Sequence, residues 1–460
     1  MFRYLSRRRF YLITGLLLVP FSISAETLQI TVDNFSTQYQ KAQAGDQLIL
    51  APGVYPAFSI EKPISILGQE GVIVDAKGLG HAVEIKSKNV TLKRLKIINW
   101  GEDLTELDSG IFVNRGSDQV VIEDNHLQGN GSGVWVDGAL DIRIESNRMI
   151  GNPNVRSFDR GNGIHLFNVF GALIKNNHIS QTRDGIYIDT SNKNRLVGNK
   201  IHDLRYGVHY MYSNYNEVIG NHTWNTRTGY ALMQSHHLTV IGNQSKNDQN
   251  YGILMNYITY SALKDNRVEG AQPNALLAGS RKGDSGQGGE GKAIFVYNSL
   301  FNEIQGNYLA NSDLGIHLTA GSKNNKISKN AFVGNRNQVK YVSNKQQEWS
   351  QEGVGNYWSD YLGWDMDGNQ RGDTAYEPND QIDRLIWKFP AAKYLFNAPA
   401  IELLRWVQRQ FPVFKDQGVQ DSYPLMEVPK KIQLSLQHSE NQQFNGQTKD
   451  GAQAVKEKRP

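Results

Sequence analysis

Gly163-Ile164-His165-Leu166, Gly185-Ile186-Tyr187-Ile188, Gly207-Val208-His209-Tyr210 and Gly229-Tyr230-Ala231-Leu232 follow one another at a constant spacing of 22 residues. A fixed period in this range marks stacked structural repeats. A second track keeps step, with Asn177, Asn199, Asn221 and Asn243 also 22 apart, each preceded by a short alternating run such as Asn216-Glu217-Val218-Ile219-Gly220. Gly110, Gly133 and Gly252 extend the first track, and Asn125, Asn147, Asn266, Asn307 and Asn330 extend the second. Alternation with period two is strand patterning, and each run is too short for a helix, so one repeat holds about three short strands and three turns. Coils of this kind stack their strands into parallel sheets, whose crossovers are right-handed. The expectation is an all-β chain, a right-handed parallel β-helix solenoid with a C-terminal extension that contains a short helix. Within a rung, the Ile or Val after each Gly and the residue two further on face inward, and the residue between them faces out. Asparagines aligned at a turn hydrogen-bond along the stack, which is a structural role.

Outward from this core, residues 26–109 read as irregular N-terminal rungs and 110–337 as regular ones, with the β-helix as a whole ending near residue 345. Two rungs are enlarged: 30 residues separate Gly133 from Gly163 and 41 separate Asn266 from Asn307, so about 8 and 19 residues have been inserted. The second insert, which includes Gly279 to Gly289, is flexible by composition, and solenoid inserts often emerge on one face and meet a partner. Residues 346–429 form a C-terminal module. It has an aromatic and acidic segment from Trp349 to Tyr376, then a helix near Asn397 to Phe411 with a broad apolar face. Residues 430–460 are polar and read as a disordered tail.

Residues 1–25 read as a signal peptide: a basic start, an apolar run from Leu12 to Phe21, and Ser22-Ile23-Ser24-Ala25 before the cleavage point. That run is too short to span a bilayer. Ser6-Arg7-Arg8-Arg9-Phe10 also fits a twin-arginine leader, so the export route stays open. The leader holds four arginines and no acid, and its removal takes Lys+Arg from 49 to 45 against Asp+Glu 45. A mature chain near zero net charge does not point to nucleic acid. With no cysteine in the chain, disulfides, thiolate metal sites and cysteine nucleophiles are excluded together.

Two outward columns carry candidate chemistry. One runs Phe112, Trp135, His165, Tyr187, His209, Ala231, Leu254, Phe295, His317; the other includes Asp137, Phe167, Asp189, Met211, Met233 and Asn256. Neighbouring rungs lie ~4.8 Å apart, which sets Met211 above Met233 with His209 two residues along the strand. Two thioethers and an imidazole on one exposed patch suit Cu(I), while methionines on a sheet face are more often an adaptable protein-docking surface. Arg183, Arg205 and Arg227 form a third column, in which like charges repel unless an anion neutralises them. Asp184 and Asp203 serve as local counter-charges on one reading. On the other the column is a groove for an anion or acidic partner, which with His209, Tyr187 and Asp189 would support proton abstraction beside a uronate carboxylate. Asp365, Asp367, Asn369 and Asp373 place four oxygen-bearing side chains in a Gly-containing loop, as a calcium site would, without the EF-hand's glycine or final glutamate.

His209-Tyr210-Met211-Tyr212-Ser213-Asn214, then Gly229-Tyr230-Ala231-Leu232-Met233 one rung later, and Asn356-Tyr357-Trp358-Ser359-Asp360-Tyr361 downstream, resemble the NosD family of periplasmic maturation proteins for nitrous oxide reductase. The likeness extends to about Val428. It implies a non-enzymatic periplasmic protein that works with an ABC transporter, the ATPase NosF and the permease NosY, in assembling the copper centres of the reductase. It also implies copper handling, carried onto His209, Met211 and Met233 with Met255 as an inward-facing addition, and contact with nitrous oxide reductase or a copper chaperone. The C-terminal helix would then dock on the permease. A polyuronate lyase or epimerase and a passive scaffold are the competing readings on the same fold.

Overall fold

The computed structural model describes residues 25–273, 290–341, 345–379, 387, 398–410 and 418–437. The leader, the Gly279 to Gly289 insert and the tail beyond residue 437 lie outside the described residues. The chain winds into a parallel β-solenoid of about 14 turns with rungs of about 23 residues. Its strands stack into three parallel sheets of 13, 12 and 13 strands.

One rung shows how the repeat is built. His178–Ser180, Asp184–Asp189 and Arg195–Val197 each join a different sheet, and Lys200–His202 returns to the first. In the long strand Ile186 and Ile188 are fully buried while Tyr187 between them faces out, as the alternation requires. The same parity repeats at Val208 and Tyr210 and at Tyr230 and Leu232, so the interior is one continuous aliphatic and aromatic column. The glycine track exists because the chain crosses itself closely there. A Cβ on Gly185 would stand 2.3 Å from Ile201 Cγ2 and 2.6 Å from the Gly207 carbonyl oxygen. From Asn125 to Asn330 the residue before each ladder asparagine is left-handed, at φ 65° for Gly198, 61° for Gly220 and 65° for Gly242, which is why glycine recurs at that place.

The asparagines form the ladder expected of them. Asn177 N–H and its side-chain amide both donate to Asn199 Oδ1 at 3.0 Å, and that amide also donates to the Ile144 carbonyl at 2.8 Å. The pattern runs from Asn125 to Asn356. A parallel set of Asn194, Asn216, Asn302 and Asn325 lines the turn before the third strand.

Both ends are closed. Helix Phe35–Lys41 sits over the first rungs, with Phe35 5.7 Å from the Tyr55 ring and 5.0 Å from that of Phe58. At the other end the last sheet continues past the expected boundary into Tyr357–Trp358, which pairs with Ala331–Val333. Trp349 and Trp358 are buried there beside Phe332, and Asp421 accepts from Asn356 N–H at 2.7 Å and Trp358 Nε1 at 2.8 Å. Residues 430–437 are helical rather than part of a disordered tail: Ile432 is buried and Lys431 pairs with Asp265. The reason is one apolar side chain with a pocket to fill. No helix among the described residues is long and apolar enough to cross a membrane.

Candidate functional site

The outward columns of the long-strand sheet stack in the register expected. Trp135, His165, Tyr187, His209 and Ala231 occupy successive rungs, and Phe167, Asp189, Met211, Met233 and Asn256 do so beside them. Met211 and Met233 are half-buried partners on adjacent strands, with His209 two residues before Met211 on the same face. Met255 has no exposed surface and belongs to the solenoid core, so it does not share that face.

His209 itself is enclosed, in contrast to the exposed position expected, at 8% exposure. Its ring stacks on Tyr187 at 4.5 Å and meets Tyr206 edge-on at 5.1 Å. Its Nδ1 lies 2.9 Å from Asp184 Oδ2, and Arg205 clasps the same carboxylate through Nε at 2.7 Å and a terminal nitrogen at 2.6 Å. Burial alone would raise the Asp184 carboxyl, but the hydrogen bonds from His209 and Arg205 overcome it and hold it below the ordinary value. An ionised carboxylate only accepts, so Nδ1 carries the proton and, in the neutral ring, the Nε2 lone pair is left free. That Nε2 is buried and has no hydrogen-bond partner. A carboxylate behind an imidazole is the arrangement that orients a metal-ligating or proton-accepting histidine.

The enclosure is a cavity of about 200 Å³ lined by Trp135, Arg160, His165, Arg183, Tyr187 and His209. Leu104 and Leu107 from the loop after Trp100 form one wall. The insert between Gly133 and Gly163 supplies another through Arg160, Gly161 and Asn162, and its short helix Ser157–Asp159 sets Phe158 5.6 Å under the Arg205 guanidinium. Burial lowers His165 to about 3, so it is neutral at physiological pH, and raises the Tyr187 hydroxyl to about 12, with the Asp189 and Asp184 charges adding to the rise.

The arginine column divides. Asp184 neutralises Arg205, whereas Asp203 pairs with His202 at 2.6 Å on another sheet and is no counter-charge to the column. Arg183 lines the cavity; Arg227 and Asp189 do not. The Asp365 to Asp373 loop is knit by its own amides: Asp365 accepts from Asn369 N–H at 3.1 Å and Gln370 N–H at 2.7 Å, and Asp373 accepts from Met366 N–H at 2.7 Å. Among the described residues no group of three or more His, Cys, Asp or Glu converges as a metal site, and within the loop Asn369 bonds both Asp365 and Asp367. The helix Pro399–Gln410 leaves Leu403, Trp406 and Val407 exposed. A second imidazole pair, His178 and His202 with Nε2 atoms 2.8 Å apart, lies on a different sheet and has no counterpart in the sequence reading, because the two belong to different columns.

Trp135, Arg160 and Asn162 as pocket residues were also beyond the sequence reading. The length of the first insert was the available signal, since a loop leaving the rung at Gly151 must cross the neighbouring outward face. The family model for "Periplasmic copper-binding protein (NosD)" matches residues 153–363, which include the cavity's upper rungs and both methionines. A Pseudomonas aeruginosa protein named "Probable ABC transporter binding protein NosD" is 53% identical over 390 residues, 85% of this chain and 90% of that one. One of the same name from Stutzerimonas stutzeri is 51% identical over 379 residues, 82% and 86% of the two chains. With these relatives matched over most of their length, the chain belongs to the NosD family of periplasmic copper-binding proteins.

Proposed function

We propose that this chain is a non-enzymatic periplasmic factor that holds copper on its way into nitrous oxide reductase, working with the ABC transporter formed by the permease NosY and the ATPase NosF. The observation that carries the reading is the juxtaposition of Met211 and Met233 in adjacent strands with His209, whose Nδ1 is held by Asp184 and whose Nε2 is unpartnered. Two thioethers and a neutral imidazole form a soft donor set that favours Cu(I), and the Asp184 carboxylate keeps the imidazole lone pair available. Copper is cargo here. Two half-buried thioethers beside an enclosed imidazole suit uptake from a chaperone and release to a client. The apolar side chains Leu403, Trp406 and Val407 suit docking on the permease, which crosslinking from Trp406 tests directly.

Cu(I) titration of the purified protein under reducing conditions against a competing chelator tests the copper assignment. Wild type and a His178→Ala, His202→Ala variant are expected to bind tightly, and a Met211→Ala, Met233→Ala variant to lose at least tenfold in affinity. Absence of binding in wild type, or its loss only in the histidine variant, refutes the assignment and leaves the methionines as a docking surface. The His209–Asp184 dyad, Tyr187 and Arg183 around one cavity favour a second reading, proton abstraction from a uronate followed by elimination or epimerisation. Formation of unsaturated uronate, or of the C5 epimer, from polymannuronate would establish it.

A further inference from the structure

The cavity above Tyr187 brings together guanidiniums and several N–H donors that have no partner among the described residues. Arg160 is 5% exposed, and its guanidinium donates to the carbonyls of Val155 at 2.7 Å, Gln181 at 3.0 Å and Pro153 at 3.1 Å. No carboxylate among the described residues pairs with it. Arg183 makes no side-chain hydrogen bond or salt bridge among the described residues, and its Nε is buried. Asp184 is already committed to Arg205 and His209. One carboxylate therefore stands against three guanidiniums. Of the three, Arg160 is buried and Arg183 and Arg205 are half-buried; charge withdrawn from water without a counter-ion is costly, and an outside anion would relieve it.

The donors agree with the charge. Trp135 Nε1, His165 Nε2 and Arg183 Nε are all buried without a partner and all belong to residues of the cavity wall. His165 is 7% exposed, and the Asn162 side-chain nitrogen lies 3.2 Å from its Nδ1. With that amide as donor, Nδ1 accepts and the neutral ring carries its proton on Nε2. His165 thus offers an N–H to the cavity and His209 offers a lone pair. We propose that this cavity binds a small oxyanion, either an inorganic one or the carboxylate of an acidic sugar, with Arg183 as the charge partner and Trp135 Nε1 and His165 Nε2 as directed donors. A volume of about 200 Å³ accommodates a tetrahedral oxyanion with a few waters, at about 30 Å³ of liquid volume per water. The site is separate from the thioether pair and shares only the His209 side chain with the proposed copper position.

Calorimetric titration of the purified protein with phosphate, sulfate and a mannuronate trisaccharide tests this, using wild type, Arg183→Gln, Trp135→Phe and Arg227→Gln. Saturable binding to wild type is expected, weakened at least tenfold by Arg183→Gln and severalfold by Trp135→Phe, and unchanged by Arg227→Gln, which lies outside the cavity. Binding of the inorganic ions alone assigns an inorganic ligand; a trisaccharide bound at least tenfold more tightly assigns a sugar carboxylate. The proposal is overturned if none of the three probes saturates wild type, or if both cavity variants bind as wild type does. Should Arg183→Gln fail to fold, Trp135→Phe, which removes the indole N–H along with part of the ring, decides alone. Failure here leaves the Cu(I) titration unaffected, so the two readings fall separately.

Discussion

Asp184 is the residue on which the site turns. Its side chain is 1% exposed and accepts two hydrogen bonds from Arg205 and one from His209, tying the rung of Tyr187 to the rung below. Asp184→Asn removes the charge and leaves the Arg205 guanidinium half-buried without its partner, a loss in the range of about 3–5 kcal/mol for broken buried pairs, to be read from urea unfolding. The pH sign follows from the carboxyl's lowered value. The stabilisation is fully present above the ordinary carboxylate pKa and is lost as pH falls through the lower folded value, so wild type weakens in acid and Asp184→Asn weakens less. The same substitution releases the His209 tautomer, and loss of such an outer partner lowers metal affinity by about 10–100-fold, measurable in the chelator competition. The counter-charge role of Asp184 was legible in the sequence from its place beside the arginine column. Its grip on His209 was not, because the strand is irregular at Gly185, where the pairing passes from Asp184–Tyr206 to Ile186–Val208 and brings an inward-parity residue to the outer face.

The asparagine ladder is the element that fixes the register of the stack. Each ladder asparagine is buried, and from Asn147 to Asn356 each Oδ1 takes two donors from the rung before, which no shorter or apolar side chain can replace. Asn221→Ala strands the Asn199 N–H and side-chain amide and frees the Leu196 carbonyl, which now accepts at 2.9 Å. Several unsatisfied buried groups at about 1–3 kcal/mol each predict a loss of on the order of 3 kcal/mol or more. Asn221→Asp keeps the acceptor oxygen but sets a buried carboxylate oxygen against the Leu196 carbonyl and Asn243 Oδ1, so it should cost at least as much. Equilibrium denaturation of the two variants checks the order; a smaller loss for Asn221→Asp would mean that the acceptor oxygen alone sets the register. Periodicity revealed this element and the outward columns because both repeat at the rung spacing. The cavity does not repeat: it depends on where two loops, at 101–108 and 152–160, fold over the sheet, and loop trajectory leaves no periodic trace in sequence.

At the scale of the molecule, a solenoid is a row of rungs in which each is held by its neighbours, so its ends decide whether it stays a monomer. The C-terminal end closes through one compact device. Trp358 stacks on Phe332 at 4.1 Å, Trp349 lies 6.2 Å from Trp358, and Asp421 ends the asparagine ladder by accepting from Asn356 and Trp358 Nε1. The sequence showed the aromatic segment but not its purpose, since Asp421 lies 65 residues beyond Asn356 and no period links them. Trp358→Ala removes a fully buried ring, which costs about 3–5 kcal/mol in cores generally, and leaves the Asp421 carboxylate without its indole donor. It also uncovers the edges of the last rung, where backbone groups are free to pair with another chain. Loosened rungs open from the end where the interface is lost, so amide exchange should rise first from Lys326 to Trp358 and leave Tyr206 to Met233 protected. Light scattering should show concentration-dependent association of Trp358→Ala that wild type lacks. A variant that melts uniformly along the solenoid and stays monomeric would mean that the cap adds stability without guarding the end, and that the rungs themselves keep the edge closed.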